Sequence, residues 1–184
     1  MKRTKILLAT SALLLSVCFL LAFKVREHVL NEKQATMVAD WERAKAYTLD
    51  YINAASEEAI TSKPTAEMRT FAQQYLHICE ANFGIIAGAT GKQSPYGFGA
   101  LEKSDQYNTK VALSKVVAES YDFVIAGVKE MNEAKFAETF HLFKWDLTKE
   151  AAFQKAFEHQ THHRGQTTVY LRVKGIKPPE ERLF

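Results

Sequence analysis

The sequence predicts an all-α protein, an up-and-down four-helix bundle preceded by an apolar N-terminal segment. Four long segments carry apolar residues at helical spacing, and no segment shows a convincing strand pattern. The 184 residues include only eight glycines and four prolines, which suits helices better than a β-sandwich. A chain of this length can form one domain with a substantial core.

The N-terminal segment, residues 1–23, predicts a signal peptide or an N-terminal membrane anchor. A short basic cluster precedes an uncharged apolar run over residues 6–23. This run is near the lower end of the length that spans a bilayer, about 17–25 residues. We therefore expect the remaining domain to be exported, either periplasmic or anchored on the outer side of the inner membrane. Residues 24–35 would form a linker and residues 36–184 the bundle.

The same segment explains the formal net charge of +3. Lys2, Arg3 and Lys5 precede any acidic residue, and without them basic and acidic residues are equal in number. The sequence has no basic stripe with interleaved aromatic residues, which is the usual electrostatic signature of nucleic-acid binding. We therefore expect no nucleic-acid partner.

The first two helices are predicted on either side of a break at Pro64. Apolar residues recur near helical spacing from Glu32 to Glu58, which predicts the first helix. Proline disfavours helix at the residue before it, and Thr65 could begin the second helix, which would run to Ala89. This second helix is apolar on nearly all sides, so we expect neighbouring helices to pack around most of it.

The third helix is predicted from Asn108 to Met131, after a long glycine-rich loop that spans Gly88–Asp105. Loops of this length are often functional, and we expect this one to border a pocket. The next segment, Asn132–Asp146, is predicted to be an irregular connection.

The fourth helix is predicted to begin near Asp146 or Thr148 and to continue to about Lys174. Either of the first two residues could cap its N-terminus. Gly175 would then be the residue that ends the helix, because glycine readily adopts the left-handed conformation common at that position.

The fourth helix also carries the candidate metal site. Its inward seam is predicted to contain Ala152, Ala156, His159, His163, Gln166, Tyr170 and Val173. His159 and His163 are four residues apart, so on a helix they project from one face and can share one metal ion. His77, on the second helix beside the small residues Ala81 and Gly84, could supply the third nitrogen.

The alternative interpretation is that these histidines have a structural role and bind no metal. A lone buried histidine is usually hydrogen-bonded within the core, and an exposed pair on a helix is often solvated. Three histidines together favour a divalent transition metal, Zn, Ni, Fe or Cu, with coordination positions left open for water or substrate. His162, Gln166 and Tyr170 are expected to surround the ligands rather than bind the ion. Glu80 and Glu158 are candidate proton-transfer groups.

Two stretches resemble the DinB/YfiT-like family over residues 36–184. HQTHHRGQTTVYLRVKGIKPP, at His159–Pro179, is similar to the terminal signature of that family. KPTAEMRTFAQQYLHI, at Lys63–Ile78, resembles its second-helix segment with a metal histidine. The resemblance implies a four-helix bundle, a divalent metal and frequent homodimers. The metal ligands that it implies are His77, His159 and His163.

The activities known in that family define three functional hypotheses. Its members include thiol-dependent S-transferases, a maleylpyruvate isomerase and proposed metal-dependent hydrolases. We expect a metal-dependent hydrolase that uses an activated water on a small-molecule substrate. A thiol-dependent S-transferase is the first alternative, which export disfavours because low-molecular-weight thiols are cytoplasmic. A non-catalytic dimer stabilised by its metal is the second.

Overall fold

Four long helices dominate the computed structural model, which describes residues 30–184. The helices are α1 (Glu32–Ala54), the single turn α2 (Glu57–Ile60), α3 (Phe71–Thr90), α4 (Lys110–Glu130) and α5 (Lys149–Val173). The mostly helical class predicted from the sequence is confirmed for this part of the chain. No helix within residues 30–184 is long and apolar enough to cross a membrane. The predicted export segment, residues 1–23, lies outside the described residues.

Each long helix begins after a residue whose side chain accepts a hydrogen bond from a backbone N–H three residues later. These caps are Asn31, Thr70, Thr109 and Thr148. The prediction that the second helix begins at Thr65 is wrong by six residues, since the helix begins at Phe71. Thr70 and Gln73 form a reciprocal capping box, which satisfies two backbone donors and fixes the start at Phe71.

The first predicted helix is divided in two. Its backbone becomes extended at Ala55, and the Ser56 side chain then accepts a hydrogen bond from the N–H of Ala59. This serine caps the separate turn α2, so α1 ends at Ala54 and not at Glu58.

The predicted irregular connection contains a β-hairpin. Strands β1 (Thr139–Leu142) and β2 (Trp145–Thr148) pair antiparallel, with Leu142 opposite Trp145. β1 lies against α3 at Gly88, where an added Cβ would be 3.1 Å from the Phe140 ring. The glycine thus permits a close approach between the hairpin and α3. Short 3-10 turns also occur at Asp105–Tyr107 and Glu133–Ala137.

The end of α5 follows the prediction. Gly175 has a φ of 70°, which is the left-handed conformation expected of a glycine after a helix. The N–H of Ile176 donates to the carbonyl of Leu171 at 2.9 Å, so the chain closes back over the last turn of α5.

The core forms where α3 packs on both α4 and α5, while α1 packs mainly on α4. Its largest fully buried side chains are mostly aromatic: Trp41, Phe71, Tyr75, Phe83, Tyr121, Phe153 and Tyr170. α3 is therefore enclosed on most sides, as its apolar wheel predicts.

The buried face of α5 is wider and more polar than the predicted seam. It includes Gln160, Arg164 and Thr167, whereas Val173 is 63% exposed and lies outside the core. Arg164 donates to Gln160 Oε1 at 2.9 Å, and its guanidinium lies 4.5 Å from the centre of the Tyr47 ring. Among residues 30–184 this buried cation has no carboxylate partner, so neutral acceptors and an aromatic face stabilise it.

Two helical glycines give a matched test of this packing. A Cβ on Gly127 would lie 2.9 Å from Ile86 and 3.3 Å from Thr90, whereas one on exposed Gly165 would meet nothing within 4 Å. We expect Gly127→Ala to lower the free energy of unfolding by about 1–2 kcal/mol through overpacking. Gly165→Ala should raise it by about 0.5–1 kcal/mol, because alanine favours helix. Urea unfolding of both variants would measure the two effects. If both substitutions changed the free energy of unfolding in the same direction, the close approach of α3 and α4 would be contradicted.

Candidate metal centre

The structure brings together the three histidines singled out in the sequence. His77 projects from the middle of α3, and His159 and His163 project one turn apart from α5. Each offers one nitrogen, and these three atoms lie within 4.8 Å of one another. The Nε2 atoms of His77 and His159 are 3.2 Å apart, close to the separation of about 3.3 Å that two nitrogens have on a tetrahedral zinc ion.

The orientation of His77 is fixed by a carboxylate. Its Nδ1 donates to Glu102 Oε1 at 2.5 Å, which leaves Nε2 with a free lone pair. Glu102 also accepts from Arg69 Nε at 2.8 Å. Burial alone would raise the pKa of Glu102, but the hydrogen bonds from Arg69 and His77 hold it below its usual value. The carboxylate is therefore charged where it meets the imidazole.

The orientation of His163 is fixed by an amide. Its Nδ1 donates to Gln74 Oε1 at 2.8 Å, so Nε2 is again the free nitrogen. The amide group of Gln74 donates in turn to Gln166 Oε1 and to Tyr170 Oη, both at 3.0 Å, which fixes which end of the amide faces the imidazole.

The three residues expected around the ligands all lie close to His163, but each is related to it by different contacts. Gln166 and Tyr170 act on His163 through Gln74. His162 is exposed, its Nε2 is 2.8 Å from the amide nitrogen of Gln166, and its ring lies edge-to-face against that of His163 with centres 5.0 Å apart.

Burial makes the two α5 imidazoles weak bases. Together with the neighbouring imidazoles, it lowers the pKa of His159 to about 4 and that of His163 to about 3. Both rings are therefore neutral at neutral pH, which is the form that binds metals. His159 Nδ1 is buried and finds no hydrogen-bond partner among residues 30–184.

Glu80 organises the loop that supplies Glu102. This buried carboxylate accepts hydrogen bonds from the backbone N–H groups of Gly99, Leu101 and Glu102, at 2.7–3.1 Å. Both oxygens of Glu80 are thus occupied in holding the loop, so the structure gives this candidate proton-transfer group a positioning role. Glu158, the other candidate, is exposed and pairs with Lys155 at 2.7 Å, away from the imidazoles.

A cavity of about 220 Å³ opens beside two of the imidazoles. The residues that line it are His77, Glu80, Ala81, Gly84, Ile85, Phe98, Phe143 and His159. The largest of the cavities described within residues 30–184, about 650 Å³, is a groove between α1 and α5 that none of the three histidines lines. We assign the chemistry to the smaller cavity, because it alone borders the imidazole cluster among the cavities described.

The sequence places the chain in a known family. The sequence model of the DinB family matches residues 29–182. The chain belongs to the DinB family. Two solved DinB-like proteins share its fold. One from Bacillus cereus is 16% identical with a TM-score of 0.63, and covers 79% of this chain and 95% of its own. One from Bacillus subtilis is 19% identical with a TM-score of 0.62, and covers 81% and 96%. No functionally curated protein shows significant similarity to the chain.

The residues of this DinB-family site fit a metal ion. Three imidazoles, two of them held through Nδ1, turn their remaining nitrogens toward one another. His77, His159 and His163 could hold a divalent ion, and imidazole nitrogens do not by themselves select among the transition metals. Sequence reasoning identified these three residues but missed Gln74 and Glu102, which orient two of them.

Proposed function

We propose that this DinB-family protein binds one divalent transition metal through His77, His159 and His163 and is a metal-dependent hydrolase. The observation that supports the proposal most directly is the meeting of three imidazole nitrogens from two helices beside an open cavity. Three protein ligands are typical of catalytic metal sites, in which another position is left for water or substrate. A site that only stabilises the fold is usually closed by a fourth protein ligand.

The residues of the chain would prepare this site for hydrolysis. When bound, a divalent ion supplies Lewis acidity and lowers the pKa of a coordinated water toward neutrality. Glu102 keeps a proton on Nδ1 of His77 and makes that ring a better electron donor. Gln74 does the same for His163 without adding charge. The apolar wall of the cavity would exclude bulk water from a bound substrate.

A hydrolysis screen tests the proposal. The protein would be purified without a metal-binding tag, depleted of metal and reloaded with Zn, Ni or Fe, and each form assayed on aryl esters, anilides and aryl phosphates. We expect hydrolysis only in a metal-loaded form, reduced at least about 100-fold by His159→Ala. His141→Ala is the matched control, since this exposed histidine contacts Asp146 in the hairpin. Full metal occupancy with no hydrolysis of any substrate class would favour a non-catalytic metal-stabilised protein.

The carboxylate beside His77 should contribute measurably to metal affinity. We expect Glu102→Ala to weaken zinc binding by about 10–100-fold, because His77 loses the partner that orients its ring and increases its basicity. Glu58→Ala is the control, since Glu58 pairs with Lys174 on the exposed surface. Competition with a chromophoric chelator would measure both affinities. An unchanged zinc affinity in Glu102→Ala would refute the contribution of Glu102 to the metal site.

The location and assembly of the domain are separate proposals. Residues 6–23 would direct it out of the cytoplasm, and a reporter fused after Phe184 that is active only outside the cytoplasm would test this. A cytoplasmic result would instead favour the thiol-dependent S-transferase.

We also propose a homodimer, as the family resemblance implies, and analytical ultracentrifugation of residues 24–184 would measure its mass.

A further inference from the structure

We propose that the cavity beside the imidazoles selects molecules with an uncharged apolar group of about the size of one aromatic ring, held in the cavity against Phe98 and Phe143. This inference rests on the proposed metal site, because the polar end of the same molecule would reach the position left open by the histidines. It goes further in naming the class of ligand and the two residues that select it.

The floor of the cavity is formed by small residues of α3. Ala81 and Gly84 follow His77 by four and seven positions, so all three lie on one face of the helix. A Cβ on Gly84 would meet nothing within 4 Å. The space beside the His77 ring is therefore open rather than filled by the core, and Glu80 and Ile85 complete its α3 lining.

Two phenyl rings border the same space from outside. Phe98 comes from the loop that Glu80 holds, and Phe143 from the turn between β1 and β2. Their ring centres are 6.3 Å apart in an edge-to-face arrangement, and the residues are 85% and 65% exposed. Two large apolar residues that extend into solvent at a cavity mouth provide surface for an apolar ligand.

The conformation of Phe143 supports this role. Its φ of 57° is the only positive value at a non-glycine residue within residues 30–184. Two-residue hairpin turns usually place asparagine or glycine at such positions, because other side chains incur a steric cost there. The chain thus keeps a phenyl ring where the turn itself would favour a smaller residue, and that ring lines the cavity.

The charge of the lining argues for an uncharged group. Glu80 is the one formally charged residue that lines the cavity, and both its oxygens accept backbone hydrogen bonds from the loop. No lysine or arginine of the described chain lines the space, so a charged group entering it would lose hydration without gaining a partner. The volume of about 220 Å³ exceeds that of an engineered apolar cavity of about 150 Å³ that holds benzene.

Two hydroxamates test the inference, because they share one metal-chelating group and differ only in the group attached to it. We expect zinc-loaded protein to bind benzohydroxamate at least about tenfold more tightly than acetohydroxamate, after correction for their affinities for free zinc. A double variant that combines Phe98→Ala and Phe143→Ala should bind benzohydroxamate at most about threefold more tightly than acetohydroxamate. Its affinity for acetohydroxamate should be unchanged. Isothermal titration calorimetry would measure each affinity.

A second variant fills the cavity instead of opening it. Gly84→Leu should also abolish the preference for benzohydroxamate, and should not unfold the protein, since leucine is a better helix former and the site has room. Zinc content must be unchanged in this variant. A preference that persists in both Gly84→Leu and the double phenylalanine variant would overturn the inference.

The remaining outcomes separate this inference from the proposed function. Equal binding of the two hydroxamates would overturn the apolar selection and leave the open metal site intact. If neither hydroxamate binds to zinc-loaded protein, the open coordination position is refuted. Binding of toluene to metal-free protein then tests whether the cavity accepts an apolar ring. Toluene should shift the ring resonances of Phe98 and Phe143 in the wild type but not in Gly84→Leu, and the absence of wild-type shifts would overturn the inference.

Discussion

Replacing His163 with alanine is expected to reduce bound metal from about one equivalent per chain to a negligible amount. The variant keeps two of the three imidazoles, but His163 is the most buried of the three and the one that Gln74 orients. Divalent metal binding weakens steeply when a site loses one of three neutral nitrogen ligands. Elemental analysis after dialysis against a weak chelator would measure the content directly.

Thermal unfolding gives an independent reading of the same variant. Excess zinc should stabilise the wild type by mass action, by about 4 kcal/mol at a concentration 1,000 times the Kd, and should leave His163→Ala nearly unchanged. His141→Ala should behave as the wild type, because its ring lies in the exposed hairpin. A full equivalent of metal retained by His163→Ala would refute the assigned ligands.

Gln160→Leu is expected to lower the free energy of unfolding by about 2–3 kcal/mol. The substitution removes the closest acceptor of buried Arg164 and leaves only the two longer contacts, at 3.4 Å, to Ala44 O and Thr48 Oγ1. A hydrogen bond to a charged group is worth about 1.5–3 kcal/mol, and a buried cation short of acceptors is costly.

The contribution of the charge can be isolated with Arg164→Met. We expect this variant to stay within about 1 kcal/mol of the wild type, because Tyr121 Oη still contacts both Gln160 Oε1 and Thr48 Oγ1. Gln160→Leu should then cost about 1 kcal/mol or less in the Arg164→Met background. Urea unfolding of the four proteins closes a double-mutant cycle, and additive effects would contradict the account of Arg164 as the group that requires Gln160.

The metal candidates could be predicted because they follow helical periodicity. His159 and His163 share a face by their spacing alone, and His77 stands beside small residues on a helix that is apolar all round. Glu102 and Gln74 could not be found in the same way. Glu102 belongs to an irregular loop whose path depends on a carboxylate 22 positions earlier. Gln74 is separated from His163 by 89 positions, so nothing in its own helix marks it as the partner of that imidazole.

The hairpin was missed although its sequence carries a strand signal. Phe140 and Leu142 alternate with polar residues in β1, as Trp145 and Leu147 do in β2, which is the period of two typical of strands. The turn between them lacks the asparagine or glycine that usually marks a hairpin, and Phe143 occupies it instead. The residue that conceals the hairpin in the sequence is the one that we propose contacts the ligand.

The way in which Glu80 holds its loop has a consequence for how the protein can evolve. The carboxylate accepts hydrogen bonds from main-chain amides and from no side chain of the loop, so exposed side chains of the loop, such as that of Phe98, could be exchanged without altering the course of the backbone. Gly91 and Gly99 are exceptions because each has a φ of 75°, and proline is excluded at positions 99, 101 and 102 because it has no amide hydrogen to donate. Related proteins could therefore acquire new ligand preferences by varying the residue at position 98, while Glu102 continues to accept a hydrogen bond from His77.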